Sequence, residues 1–312
     1  MEICIQTNPL AARFGFDEAC RMIAEAGFTA IDWGIDNAWR FDDLLTAPTL
    51  SGLCICEKSP AEVLAHYAEE LASLQRWGLT VSQAHAPFRA FDFRRKEVLD
   101  YAIEIYKGCI RLCQAAGCKH LVIHGISIRE EDTETTPELC RQYNRRLYES
   151  LLPTLAETDV VVCMENLFSR AGRMGIPNFT AAHCADPDEA VAWIDELNKQ
   201  AGRAAFALCF DTGHLHLLRG DLRRYLSVLG DRIACLHIHD NDQFGDYHLL
   251  PYTGTFPWEL FLATLKEIGY QGDLSFETCG QMAARRCPDP LVPHVLRLVY
   301  ETGVYFRAEL AR

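Results

Sequence analysis

Residues 235–248 read CLHIHDNDQFGDYH and place His237, His239 and His248 among Asp240, Asp242 and Asp246. Imidazole nitrogens and carboxylate oxygens are the ligands of Mn²⁺, Zn²⁺, Co²⁺ and Fe²⁺, and the same groups carry protons in acid–base chemistry. A surface loop rich in Asp and Asn is ordinary. Imidazoles alternating with apolar residues on what reads as a strand are not, and they raise the question of which other residues meet them.

Other short apolar runs end in the same residue types. The run TVSQAHA (80–86) ends near His85, HLVIHG (120–125) near His124, and VVVCMEN (160–166) near Glu165. FALCFDTGH (206–214) carries Asp211 and His214, IACLHIHD (233–240) carries His237 and His239, and DLSFETC (273–279) carries Glu277. Side chains alternate along a strand, so His237 and His239 share a face and Ile238 takes the other. A single His or Glu at a strand end is ordinarily a hydrogen-bonded structural residue. Convergence changes the balance, because buried ionisable groups need partners, and no Lys or Arg stands at these strand ends to supply an internal ion pair. The charge balance therefore calls for a cation from outside. Two Glu, one Asp and one His would hold one divalent metal (Mn²⁺, Zn²⁺, Co²⁺ or Fe²⁺) and leave positions open for the vicinal oxygens of a sugar.

The elements that would position these residues follow a regular alternation. With EICIQT (2–7) and AIDWGI (30–35), the apolar runs number eight. Segments of helical period separate them, at 17–26, 60–77, 95–116, 136–157, 187–200, 221–229, 257–268 and 288–309. SPAEVL (59–64) offers a Ser cap, Pro in the first turn and Glu at the capping-box position, and glycines in WGL, AGC and IGY mark helix ends. Eight βα units in one chain predict a single (β/α)₈ barrel over residues 1–312, with the chemistry at the carboxyl ends of the strands. A doubly wound sheet is the alternative, but QTNPLAARFGF after the first run has no Gly-rich phosphate fingerprint. The long polar loops at 167–186 and 241–256 are expected to cover a substrate.

Composition narrows the function. A net charge of −13 argues against nucleic acid or an anionic membrane surface as partner. Fourteen cysteines scattered singly through apolar runs read as buried thiols of a reducing compartment. With no signal-peptide pattern at the N-terminus and no apolar run of transmembrane length, a cytoplasmic location is expected.

From residue 1 to about 305, the order of HAPF (85–88), HLVIHG, MEN (164–166), FDTGH (210–214), HIHDND (237–242), DYHLLPYTGTFPW (246–258) and SFET (275–278) resembles the xylose isomerase-like barrels, which include sugar isomerases and epimerases and endonuclease IV. The resemblance implies that Glu165, Asp211, His237 and Glu277 form a single-metal set, that His214 contacts substrate, and that Glu165 and Glu277 move protons across a metal-stabilised enediolate. It implies equally that His85, His124, Glu165, Asp211, His214, His237, Asp246, His248 and Glu277 match the nine ligands of a three-metal nuclease site, so that a second or third metal is in view. Related barrels form dimers or tetramers, which makes a homo-oligomer an expectation of the resemblance alone.

The opening stretch then divides by role. His237 binds the main metal, Asp246 and His248 serve a second metal or the substrate, and His239, Asp240 and Asn241 shape the pocket, with His239 facing substrate or backing a ligand; Asp242 is a solvated loop charge. Trp33, Phe88, Phe168 and Trp258 could wall a sugar or pack the core, and Arg170 and Arg173 could meet a substrate anion or remain solvated. The expected function is a metal-dependent isomerase or epimerase that moves a proton beside the carbonyl of a monosaccharide or sugar derivative. The alternatives are a lyase or dehydratase for a keto-sugar at the same site, an abasic-DNA phosphodiesterase using several zinc ions, and a silent sugar-binding or protein-binding barrel.

Overall fold

The structure, a computed structural model, describes residues 1–35, 52–87, 96–127, 136–170, 178–278, 280 and 287–312. Eight parallel strands run in the order in which they occur in the chain: β1 (Ile3–Gln6), β2 (Ala30–Gly34), β3 (Thr80–His85), β4 (His120–Val122), β5 (Val161–Glu165), β6 (Phe206–Asp211), β7 (Ile233–His237) and β8 (Leu274–Phe276). β8 pairs with β1. The remaining seam between β7 and β8 is joined by the Ile238–Phe276 bridge, with Ile238 N donating to Ser275 O at 2.8 Å and Glu277 N to Ile238 O at 3.0 Å. The result is a (β/α)₈ barrel wrapped by helices.

Strand periodicity divides the side chains between two cores. Val162, Met164, Leu208, Phe210 and Leu236 belong to the large apolar cluster beneath the helices. Val161, Cys163, Ala207, Cys209 and Cys235, one position along from them, form a separate small cluster with Val122 inside the barrel. Continuing the inward series by two residues reaches Glu165, Asp211 and His237. Small inward residues low in the barrel thus support large polar ones at its mouth. Every cysteine among the described residues is buried and free, as single thiols in apolar runs lead one to expect.

The capping box at Ser59 is present, with Glu62 N donating to Ser59 Oγ and Ser59 N to the Glu62 carboxylate. The helix expected over 60–77 breaks into Pro60–His66 and Ala68–Trp77 at Tyr67. A helix at Asn8–Phe14 precedes the one at Phe16–Ala26, the two joined at Gly15 with φ 84°. In FALCFDTGH the strand ends at Asp211, the strand-end position expected for it, and what the run did not announce is that Thr212–Leu217 is helical. Asp211 caps that helix by accepting from His214 N at 2.6 Å. Local hydrogen bonding by an Asp side chain thus starts a helix at the strand end and turns His214 back over the barrel.

Candidate metal centre

Four strands deliver the centre of the site. Ligand-capable atoms of Glu165, Asp211, His237 and Glu277 lie within 4.8 Å of one another, from β5, β6, β7 and the residue after β8. His237 Nδ1 stands between the two glutamates, 3.2 Å from Glu165 Oε1 and 3.4 Å from Glu277 Oε2. Glu165 is further approached by His124 Nε2 at 2.6 Å, His214 Nδ1 at 3.3 Å and His85 Nε2 at 3.8 Å. His85 also bonds Ala86 O and His124 and stacks on His237 with centroids 5.5 Å apart.

A second cluster adjoins the first. His239 Nε2 lies 2.9 Å from Asp211 Oδ2 and 3.9 Å from Asp246 Oδ1. His248 Nε2 lies 3.2 Å from Asp246 Oδ2, and His214 Nε2 lies 3.8 Å from the same oxygen. The rings of His239 and His248 stack with centroids 4.2 Å apart. Two ligand-capable groupings follow, Asp211 with His214 and His239, and His239 with Asp246 and His248. His239 belongs to both, so it sits among the candidate ligands.

Among the described residues no Lys or Arg forms an ion pair with Glu165, Asp211, Asp246 or Glu277, so imidazoles balance these carboxylates. Burial disfavours an ionised Glu165, but His124 and His237 outweigh it and hold the carboxyl well below the usual range. Burial likewise opposes charge on Asp211 and Asp246, which are nevertheless lowered, by His214 and His239 in the first case and by His248 and His214 in the second. Against its own burial, His214 is lifted to about 10 by Asp211 and Asp246. His237 is also raised, by Cys209, Glu277 and Glu165 acting against burial. His124 stays low, because burial outweighs the opposing pull of Glu165. The donor set of carboxylate oxygens and imidazole nitrogens, balanced by protons alone, fits a divalent cation that would displace those protons.

The loop after β7 is tied from below. Asp240 is fully buried and accepts from Asn241 N, Gly254 N, Phe256 N and Trp258 Nε1 at 2.9–3.1 Å. Asn241 Nδ2 donates to Gly213 O, whereas Asp242 is exposed and accepts from Phe244 N. Of the aromatics, Phe168 stands edge-on to His214 at 4.9 Å. Trp33 and Trp258 are core residues: Trp33 Nε1 donates to Glu70 and its ring meets Tyr67, while Trp258 packs on Phe256 and Phe261. Phe88 and Arg173 lie outside the described residues, and Arg170 is exposed on a short ribbon, Phe168–Arg170 paired with Phe179–Ala181.

Two residues at the site escape a reading of strand ends from β3 onward. Gln6 Nε2 on β1 donates to Glu277 Oε1 at 2.8 Å, which leaves Oε2 to face His237. Asp32 Oδ2 on β2 lies 3.2 Å from His237 Nε2. Their signal was a polar residue on a strand of otherwise apolar residues, Gln6 at the end of ICIQ and Asp32 within AIDWG.

A closed parallel barrel with a carboxylate and imidazole mouth defines a class, and the chain belongs to it: it is a member of the xylose isomerase-like TIM barrel family, whose model matches residues 20–291. An uncharacterised protein of Sinorhizobium fredii is 24% identical over 275 residues, 84% of this chain and 82% of that one. The D-allulose 3-epimerase of Methylomonas sp. in complex with D-allulose superposes with TM-score 0.68 at 17% identity, over 99% of this chain and 96% of its own. A 3-keto-D-glucoside 4-epimerase of E. coli superposes with TM-score 0.62 at 17% identity, covering 99% of each chain. A family 2 AP endonuclease of Brucella melitensis gives TM-score 0.60 at 17% identity, over 94% of this chain and 99% of its own. Among the described residues no helix is long and apolar enough to cross a membrane.

Proposed function

We propose that the chain is a divalent-metal-dependent isomerase or epimerase acting on a monosaccharide or sugar derivative. The observation that carries this reading is the convergence of Glu165, Asp211, His237 and Glu277 within 4.8 Å, buried and, among the described residues, without a Lys or Arg counter-ion. The sugar epimerases among the structural neighbours support the substrate class. Those four residues would hold the cation. When bound, it would polarise a carbonyl and an adjacent hydroxyl oxygen and so acidify the hydrogen on the carbon between or beside them.

The protein's own groups would then move the proton. Glu165 and Glu277 reach the centre from β5 and from beyond β8, with β6 and β7 between them, and His237 Nδ1 lies within 3.4 Å of both. One carboxylate accepts the hydrogen beside the carbonyl and the other returns one, which inverts a carbon or shifts the carbonyl to its neighbour. Gln6 holds the Glu277 carboxylate by one oxygen, fixing where the other delivers its proton. Phe168, beside His214, supplies an apolar wall over the polar floor. His214, His239, Asp246 and His248 would bind substrate hydroxyls or a second cation, and His85 and His124 would hold Glu165 in place or add a third.

The test is elemental analysis of protein purified without chelator, beside a Glu165→Gln, Glu277→Gln double variant and a panel of ketoses and aldoses. About one Mn, Co, Fe or Zn per chain, lost in the variant together with epimerase or isomerase turnover, supports the reading. Absence of bound metal at saturating Mn²⁺ or Co²⁺ refutes it. The second cluster favours one further reading, a phosphodiesterase with two or three zinc ions, which that stoichiometry plus cleavage of an abasic duplex would establish; the net charge of −13 weighs against it.

A further inference from the structure

Asp32 has no place in the chemistry above, yet its carboxylate is wholly buried on a strand that supplies none of the candidate ligands. Oδ2 accepts from Gln83 Nε2 at 2.9 Å and lies 3.2 Å from His237 Nε2 and 3.4 Å from Ser275 Oγ. Oδ1 is buried with no hydrogen-bond partner. Among the described residues no Lys or Arg forms an ion pair with it. An isolated buried carboxylate is costly, and packing alone would be served as well by a neutral residue. The pairing of β2 with β3 shifts register between Ile31 and Asp32, so Ile31 faces Val81 but Asp32 faces Gln83.

The two nitrogens of His237 explain the arrangement. Nδ1 faces Glu165 and Glu277 at the candidate metal centre. Nε2, on the far side of the ring, makes no full hydrogen bond, and Asp32 Oδ2 is its ion-pair neighbour. An imidazole that binds a cation through one nitrogen carries its proton on the other, and a carboxylate at that second nitrogen fixes the tautomer, orients the ring and makes the ligand more basic. We propose that Asp32 is a positioning residue of the metal centre: its carboxylate accepts a hydrogen bond from Nε2–H of His237 and thereby keeps Nδ1 free for the cation, with Gln83 and Ser275 holding the carboxylate in register. This rests on the metal-dependent reading above.

The test titrates Co²⁺ into the full-length chain, freed of metal by chelator, for wild type, Asp32→Asn and Gln83→Met. Visible absorption reports ligand geometry and competition with a chromophoric chelator gives Kd. Asp32→Asn is expected to weaken Co²⁺ about 10- to 100-fold and to alter the d–d bands. Gln83→Met, which leaves the charge in place but removes its 2.9 Å anchor, is expected to weaken Co²⁺ by a smaller factor in the same direction. Unchanged Kd and spectrum in Asp32→Asn overturn the proposal, even if its Tm falls, because a packing role would lower stability alone. Should Asp32→Asn fail to fold, Gln83→Met decides, and wild-type affinity in that variant overturns it. Wild type that takes up no Co²⁺ refutes the metal-dependent reading itself, a result separable from Co²⁺ bound equally well by wild type and variant.

Discussion

Replacing Asp240 with Asn should unlatch the loop that carries Asp246 and His248. In the native chain Oδ1 accepts from Asn241 N and Phe256 N, and Oδ2 from Gly254 N and Trp258 Nε1. The side chain is fully buried, and Gly254 approaches so closely that a Cβ there would lie 2.4 Å from Asp240 Oδ1. An Asn keeps one oxygen and turns an NH₂ toward the other pair of donors, so two buried N–H groups lose their acceptor whichever way the amide is turned. At about 1–3 kcal/mol for each buried donor left unsatisfied, the loss is about 2–6 kcal/mol, offset in part because a charge no longer has to be buried. That is a large share of the roughly 5–15 kcal/mol by which domains are stable. Equilibrium urea denaturation of metal-free protein would show it as a lower midpoint. The strand-borne candidate ligands should keep most of any metal affinity, since the lost bonds fix the loop rather than β5 to β7. A stability change below about 1 kcal/mol would refute the claim that this one carboxylate organises the loop.

The remaining expectations follow from the same geometry. Gly213→Ala places a Cβ 2.0 Å from His239 Cε1, so although Ala favours a helix the variant should be less stable and should lose any second cation before the first, read by urea midpoint and metal stoichiometry. In chelator, the depressed carboxyls of Glu165, Asp211 and Asp246 contribute stability that is lost as pH falls through their folded values. His214, raised to about 10, contributes stability that is fully present below about pH 6.5, its unfolded value, and is lost as pH rises toward 10. The metal-free chain should therefore be most stable in mildly acidic solution, and cation uptake should release protons and tighten from about pH 6 to 9; calorimetry in buffers of different ionisation enthalpy checks this, and proton-neutral binding would contradict it. Cation present at about 100 times Kd should add about 2.7 kcal/mol to unfolding, reversed by chelator, and an unchanged Tm would count against a site restricted to the folded state.

The layout was legible in the chain. Eight apolar runs alternating with helical segments pointed to a parallel barrel over a doubly wound sheet, whose Gly-rich fingerprint is missing, and period-two alternation carried Cys163 to Glu165 and Cys209 to Asp211 on one face. The ends of those runs named most of the residues that now lie together, because in such a barrel the strand termini converge wherever the helices pack. Three features emerged only on folding. It made Thr212–Leu217 a helix directly after β6, capped by the Asp211 side chain on the backbone three residues on, and this is what turned His214 toward Glu165. It placed His239 against Asp211 and His248, a contact between separate segments that no local pattern encodes. It brought Gln6 and Asp32 to Glu277 and His237, because closing the barrel sets the first strands beside the last, and a separation of more than two hundred residues leaves no periodic trace in the chain.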